Sequence, residues 1–230
     1  MAPFLLLQTT VITSHHNQLL KDIRRLHRRR EGGRFVAEGE DLVAAADAAG
    51  WTPVVRLRAG VDVEEAVLAK VSSLGSGTRE LAVYEERWAQ PAGPVCVALW
   101  GVKDPGNVGT VLRSARAFGA ACVAIGPNTA DPFGTKAVRA SMGAIFEVPV
   151  ARVEDLASLP VPRIALVARE GEPLAGPAEG TLVVGAEREG LPPDVVAACD
   201  EARHIPIASE SLNAAMAATV ALYEWNRVRA

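Results

Sequence analysis

Long apolar runs are missing from this 230-residue chain, and none approaches the ~20 consecutive apolar residues of a membrane span. Phe4-Leu5-Leu6-Leu7 is too short for the apolar core of a signal peptide, and no basic residue separates it from Met1. Cysteine is scarce: Cys96, Cys122 and Cys199 are an odd count, far apart, each in an apolar setting. That excludes a disulfide framework and any metal-ligand spacing, and it reads as three buried small hydrophobes in a reducing compartment. A cytoplasmic protein with no membrane partner and no metal is expected. An overall positive charge is lacking too, since the formal net charge is −3. Composition by itself therefore gives no sign of nucleic-acid binding.

What is present is a globular composition, 49% hydrophobic, with length enough for one large or two modest domains. Charge is unevenly placed. Between residues 21 and 34, Lys21, Arg24, Arg25, Arg28, Arg29, Arg30 and Arg34 stand against Asp22 and Glu31, a local balance of 7 − 2 = +5. The apolar residues Leu19, Leu20, Ile23 and Leu26 recur at helical spacing over residues 14–30, with Ser14 as the expected cap. Such a helix buries one side and offers the other, cationic side either to solvent or to phosphates. Residues 34–39, 54–57 and 81–83 read as short strands, and residues 40–49 and 63–71 as helices. The composition of residues 89–94 marks a linker, which sets a domain boundary between 1–90 and 94–230.

The second unit opens on Val95 to Trp100, continuous enough in apolar character to be a buried parallel strand. Further strands are expected at residues 121–125, 145–150, 164–167, 182–186 and 204–207. Helices are expected at 110–118, 136–144, 194–198 and from Ser211 onward. Alternation of this kind implies an α/β fold around a mostly parallel sheet. In the last helix Leu212, Met216, Val220 and Tyr223 recur at helical spacing, while Ala214, Ala215, Ala217, Ala218 and Ala221 keep it slim. Ser211 is its expected cap.

Three stretches carry chemistry. Asp104-Pro105-Gly106-Asn107-Val108-Gly109 turns sharply off a strand end, where α/β proteins place their sites, with Thr110 and Arg113 following on one helical face. Val184-Gly185-Ala186-Glu187 offers a carboxylate after a glycine expected to let a ligand approach the backbone, and Gly190-Leu191-Pro192 closes that loop. The third runs from Ile205-Pro206-Ile207 to Ser211-Leu212-Asn213. No G-x-G-x-x-G fingerprint accompanies them, which disfavours a nicotinamide-linked oxidoreductase.

In this order the three stretches resemble the motifs of the SpoU/TrmH RNA ribose 2′-O-methyltransferases, within the knotted SPOUT superfamily. Asp104, Asn107, Gly109 and Arg113 match the first motif; Gly185, Glu187, Gly190 and Leu191 the second; Ile205-Pro206 with Ser211-Leu212-Asn213 the third. Arg139 to Ala144 is similar to the family's intermediate helix, and Thr13-Ser14, Asn17, Lys21, Leu26 and Phe35-Val36-Ala37-Glu38-Gly39 are similar to its N-terminal substrate-binding domain. The loop of Ile207 to Glu210 is shorter than the family usually carries and lacks its glycine. The resemblance implies a deep trefoil knot in a C-terminal SPOUT domain, a small N-terminal α/β RNA-binding domain, and a homodimer. It implies S-adenosylmethionine held by Leu182, Val183, Gly185, Ile205, Ile207, Leu212 and Asn213. It implies a catalytic set of Arg113, Asn107, Glu187, Ser211 and Asn213, and RNA contacts from Lys21, Arg24, Arg25, Arg28, Arg29 and Arg34. Ribosomal RNA is the preferred substrate over tRNA, and an inactive RNA-binding relative is the alternative.

Overall fold

In the computed structural model the described residues are 11–28, 32–74, 77–175 and 179–229. Phe4 to Leu7, and Arg29, Arg30 and Glu31 of the basic stretch, lie outside them. The N-terminal part builds α1 (Gln18–Arg28), β1 (Arg34–Glu38), α2 (Glu40–Ala48), β2 (Val55–Arg58), α3 (Glu65–Ala69) and β3 (Glu80–Glu85). Its sheet has β3 in the centre, antiparallel to both β1 and β2. Ser14 is not the cap of α1. The helix starts later, and the Asn17 side chain accepts the amide of Leu19 at 2.9 Å. Ser14 instead accepts the amide of His16 in the preceding turn.

Alternation along the strands gives this sheet two apolar faces. Val36, Leu57, Leu81 and Val83 bury Leu20, Ile23 and Leu26 of α1 on one side. Phe35, Ala82 and Tyr84 point the other way, into a core shared with the C-terminal part. Phe35 lies 5.0 Å from Phe133 between ring centroids, and Trp51 5.3 Å from Phe146. The Trp51 indole donates to the Phe146 carbonyl at 2.8 Å. Aromatic pairs of this kind add about 0.5–1.5 kcal/mol each beyond their buried area, so the two parts are joined by more than the 89–94 segment.

The C-terminal part runs β4 (Val95–Leu99), α4 (Pro105–Ala117), β5 (Cys122–Ile125), α5 (Thr135–Ala140), β6 (Val150–Arg152), β7 (Arg163–Val167), β8 (Glu172–Pro173), β9 (Gly180–Val184), α6 (Pro193–Ala197), β10 (Glu201–His204) and α7 (Ala214–Arg229). The sheet order is β6-β5-β4-β9-β7-β10-β8, and every pairing is parallel. Parallel pairing puts the C-terminal ends of β4, β9, β7 and β10 along one edge, and all three motif loops leave from that edge.

Five expectations shift. Helix α4 begins at Pro105 and not at Thr110, because Asp104 accepts the Gly106 amide at 2.8 Å and Pro105 suits the first turn. Residues 145–150 are not one extended run, since Ala144–Phe146 form a 3-10 turn after Gly143 takes φ 88°. The last strand ends at His204, so Ile205 to Ile207 are loop. The final helix begins at Ala214, capped by Asn213 and not Ser211; the Asn213 side-chain carbonyl accepts from the amides of Ala215 at 2.9 Å and Met216 at 3.3 Å. Its buried face is also not the expected one. Ala214, Ala215, Ala218, Ala221, Leu222 and Trp225 are buried against α4 and β9, whereas Met216, Val220 and Tyr223 are 59%, 41% and 54% exposed. Alanines let α7 lie close enough for Ser114 and Thr219 to share a hydroxyl bond at 2.6 Å.

Candidate functional site

The three motif loops meet through side chains. Asn107, in the first turn of α4, donates its amide to Glu187 at 2.5 Å. The same side chain accepts from the Asn213 amide at 3.2 Å. Asn213 spends its carbonyl on the cap of α7, which fixes its amide toward Asn107. The relay Asn213–Asn107–Glu187 therefore ties the ends of β4, β9 and β10 with one unambiguous donor direction. A carboxylate at the far end suits it, because an ionised Glu187 accepts only.

Glu187 rides on a tight loop. Ala186 and Gly190 exchange backbone bonds at 3.1 and 3.0 Å, and Gly190 takes φ 66°. A Cβ on Gly185 would sit 2.3 Å from the Gly190 carbonyl carbon and 2.4 Å from the Leu191 nitrogen. The missing side chain at Gly185 thus admits the chain's own Gly190–Leu191 backbone, while Gly185 itself also lines the adjacent cleft. At Gly109 a Cβ would lie 2.3 Å from the Ala137 carbonyl oxygen, so that glycine brings α4 and α5 together.

Beside the relay lies a cleft of about 160 Å³. Gly185, Glu187, Ile205, Ile207, Ser211 and Leu212 line it, together with residues the sequence gave no reason to choose: Leu166 and Ala168 at the end of β7, and Arg188. Only the strand order, which sets β7 between β9 and β10, brings the first two in. Leu182 and Val183 lie behind the cleft; they are fully buried in β9 and paired to β4 and β7 on either side. Leu166, Ile205, Ile207 and Leu212 are half-buried, so apolar surface faces the opening. Among the described residues, no backbone amide from Ile207 to Leu212 donates to another backbone carbonyl. Half-exposed apolar side chains and uncommitted backbone groups are a donor set suited to the faces and edge of a flat heterocycle such as adenine. At about 160 Å³ the cleft is below the ~300–1,000 Å³ of enclosed small-molecule sites, and it is open to solvent on one side.

Arg113 is not drawn into the relay. It stands exposed on α4, seven residues or about two turns above Gly106, and makes no hydrogen bond or ion pair among the described residues. Asp104, the cap of α4, also accepts from Lys136 of α5 at 2.7 Å. That ammonium, and the Gly106 amide after it, hold the Asp104 carboxyl below its ordinary value. On the basic helix Lys21, Arg25 and Arg28 are exposed, while Arg24 reaches back to the His15 carbonyl. Arg34 approaches Glu85 at 4.0 Å, and Arg29 falls outside the described residues.

Where the two parts meet, Glu38 is buried. It accepts the Ser73 amide at 2.8 Å and the Ser73 hydroxyl, and it faces His27 at 3.3 Å. Burial pushes its pKa up, but the bonds from His27 and Ser73 outweigh that and hold it below 4.5. His27 also contacts Thr135 of α5 at 3.2 Å, which links the basic helix to the helix beside Asn107. The sequence resemblance includes Glu38 in the Phe35–Gly39 stretch, and His27 lies beside the basic residues, but nothing in the sequence pairs the two.

The profile described as the SpoU rRNA Methylase family matches residues 94–223. A 23S rRNA (guanosine(2553)-2'-O)-methyltransferase, RlmP, of Bacillus subtilis is 29% identical across 92% of this chain and 97% of its own length. The Ribosomal RNA small subunit methyltransferase G 2 of Syntrophobacter fumaroxidans is 42% identical across 64% of this chain, which spans only 30% of that protein. Among solved structures, an AdoMet-bound rRNA methyltransferase from Sinorhizobium meliloti superposes with a TM-score of 0.85 at 29% identity, over 95% of this chain and 98% of that one.

Proposed function

Since the chain belongs to the SpoU rRNA methylase family, we propose that it methylates a ribose 2′-hydroxyl of structured RNA, ribosomal RNA before tRNA, using S-adenosylmethionine. The observation that carries the reading is the Asn213–Asn107–Glu187 relay, which unites the three motif loops beside an apolar cleft. S-adenosylmethionine, when bound, supplies an electrophilic sulfonium methyl. Gly185, Ile205, Ile207 and Leu212 hold it, with backbone amides of the 207–212 loop for its polar edge. Leu182 and Val183 support that wall from behind, and Asn213 fixes the rim.

The chemical burden on the chain is to align a 2′-hydroxyl and to stabilise charge as it is deprotonated. Arg113 carries that charge stabilisation or clamps the adjacent phosphate. A guanidinium stays protonated, so it serves as a fixed cationic donor and not as a base. Asn107 and Glu187 orient the ribose, and Ser211, exposed at the cleft, donates or accepts from it. Residues 94–230 form the methyltransferase domain, with the last segment threaded as a trefoil knot. Residues 1–90 bind RNA through Lys21, Arg24, Arg25, Arg28, Arg29 and Arg34. Support comes from the exposed cationic face of α1, opposite its buried Leu20, Ile23 and Leu26.

The exposed Met216, Val220 and Tyr223 of α7 are the contact face of a homodimer. The site of action is the cytoplasm; among the described residues no helix is long and apolar enough to cross a membrane. Mapping 2′-O-methyl groups in ribosomal RNA and tRNA from cells with and without the gene tests the reaction. One ribosomal ribose should lose its methyl group on deletion, and an unchanged map in both RNA classes would overturn the reading.

A further inference from the structure

A groove of about 560 Å³ opens where α1 meets α5, on the side of α4 that leads to Asn107. Its lining includes His27, Lys103, Lys136 and Arg139, together with Pro105 from the first turn of α4. Helices α1 and α5 and the loop before α4 thus each contribute a cation or a histidine to one trough, although they are far apart in sequence.

The cations differ in what holds them. Lys136 is committed to Asp104, the cap of α4. Arg139 is exposed and makes no ion pair or hydrogen bond among the described residues. Lys103 comes no nearer than 4.0 Å to Glu189, and both side chains are mostly in water, so that pair contributes little. The acid in the lining, Asp131, accepts the Phe133 amide and so has its own partner. Two uncommitted cations remain in a trough whose floor is fixed by the His27–Thr135 contact. The groove lies on the course from the basic face of α1 to Pro105, two residues before Asn107.

We propose that this groove seats the phosphodiester backbone flanking the target nucleotide, with Arg139 and Lys103 as its phosphate ligands. The inference rests on the RNA-methylating reading and adds to it a site. Arg139 presents a planar fork that can take a phosphate through two bonds, and Lys103 adds a point charge. A polyanion spanning α1 and Asn107 is thereby held at both ends and in the middle, which fixes the ribose register that the relay alone leaves free.

The test uses the full chain and in vitro transcribed 23S ribosomal RNA as the probe, with binding measured across a salt series. The variants are Lys103→Gln with Arg139→Gln, and Lys103→Glu with Arg139→Glu. For the neutral pair the slope of log K against log salt should fall by about 0.7–0.9 for each phosphate no longer neutralised, and affinity near 150 mM salt should drop roughly tenfold or more. Charge reversal should weaken binding further. Affinity for S-adenosylmethionine, read by calorimetry on the same preparations, should stay within about twofold, which separates weakened RNA binding from damage to the fold. If the wild type binds and methylates RNA while both pairs keep its slope, the groove is not the phosphate seat and the enzymatic reading stands. If the wild type binds no RNA at any salt, both readings fall together.

Discussion

Asn107 donates to Glu187 at 2.5 Å and accepts from Asn213 at 3.2 Å, so a single amide side chain joins two loops that lie 80 and 106 residues further along the chain. The bond direction is forced, since Glu187 has only acceptors and the Asn213 carbonyl is spent on α7. Asn107→Asp should therefore harm methyl transfer more than Asn107→Ala, because it sets two carboxylates against each other. Adding Glu187→Gln to Asn107→Asp restores a donor facing an acceptor and should recover part of the lost melting temperature and rate. A double variant no better than Asn107→Asp alone would show that the relay is not what holds these loops.

Arg113→Ala should lower methyl transfer by roughly 10²–10³-fold, the usual effect of removing one preorganised donor from a transition state. Its exposed place on α4, away from the cleft lining, predicts cofactor affinity close to wild type. Arg113→Lys should not rescue the rate, since an ammonium lacks the planar fork. Loss of cofactor binding in calorimetry of Arg113→Ala would make it a binding residue instead.

The first two motif loops were legible in the sequence because each is a run of turn formers and polar groups directly after an apolar strand, β4 or β9; the third was legible only by its order after them, since β10 is the polar Glu201–His204. Glycine was harder to read. Gly185 reads from sequence only as a place where a ligand reaches the backbone, yet it has a second task, since the atoms nearest its missing Cβ belong to Gly190 and Leu191. Only the reciprocal Ala186–Gly190 bonds, invisible in composition, explain it. Helix α7 misled for another reason. Large apolar residues at helical spacing signal a buried face, yet here Met216, Val220 and Tyr223 are exposed while Ala214, Ala215, Ala218 and Ala221 are buried with Leu222 and Trp225, because close approach to α4 and β9 along most of the helix needs small side chains. The pairing of Glu38 with His27 crosses from β1 to α1 and carries no periodic signature at all.

From that packing, Gly185→Ala should cost about 1–3 kcal/mol and displace the loop that carries Glu187. The three atoms nearest the new methyl are all backbone, so none can swing aside. A fall in melting temperature together with weakened S-adenosylmethionine binding is expected. Wild-type values of both would mean that the Gly190–Leu191 backbone is free to shift.

Glu38 gives a pH dependence with a definite sign. Its folded pKa lies below 4.5, burial being outweighed by the bonds from His27 and Ser73. A depressed carboxyl pKa stabilises the fold above the unfolded value, and that contribution is lost as pH falls through the folded one. Glu38→Gln should therefore melt lower than wild type at pH 7, by about 1.5–3 kcal/mol for a hydrogen-bonded charged group. The gap should close in acid below pH 4.5. A gap that is constant from pH 7 to pH 3 would assign the effect to packing alone.

The outer face of α7 supplies the last test. Met216, Val220 and Tyr223 fall at i, i+4 and i+7, so their side chains form one apolar stripe about two turns long. Tyr223 is partly anchored, edge-on to Phe118 at 6.0 Å, but Met216 and Val220 are open to solvent. A contiguous apolar stripe on a helix already buried on its other side is characteristic of a protein contact. If that contact is a second copy of this chain, light scattering at micromolar concentration should give about twice the 24.2 kDa monomer mass. Val220→Glu places a charge in the centre of the stripe, where burial against a second apolar stripe leaves it unpaired. It should shift the mass to that of the monomer while leaving the melting of α7 against α4 little changed, because Val220 does not face that core. A wild-type mass at 24.2 kDa, or a dimer indifferent to Val220→Glu, would remove this face as the interface.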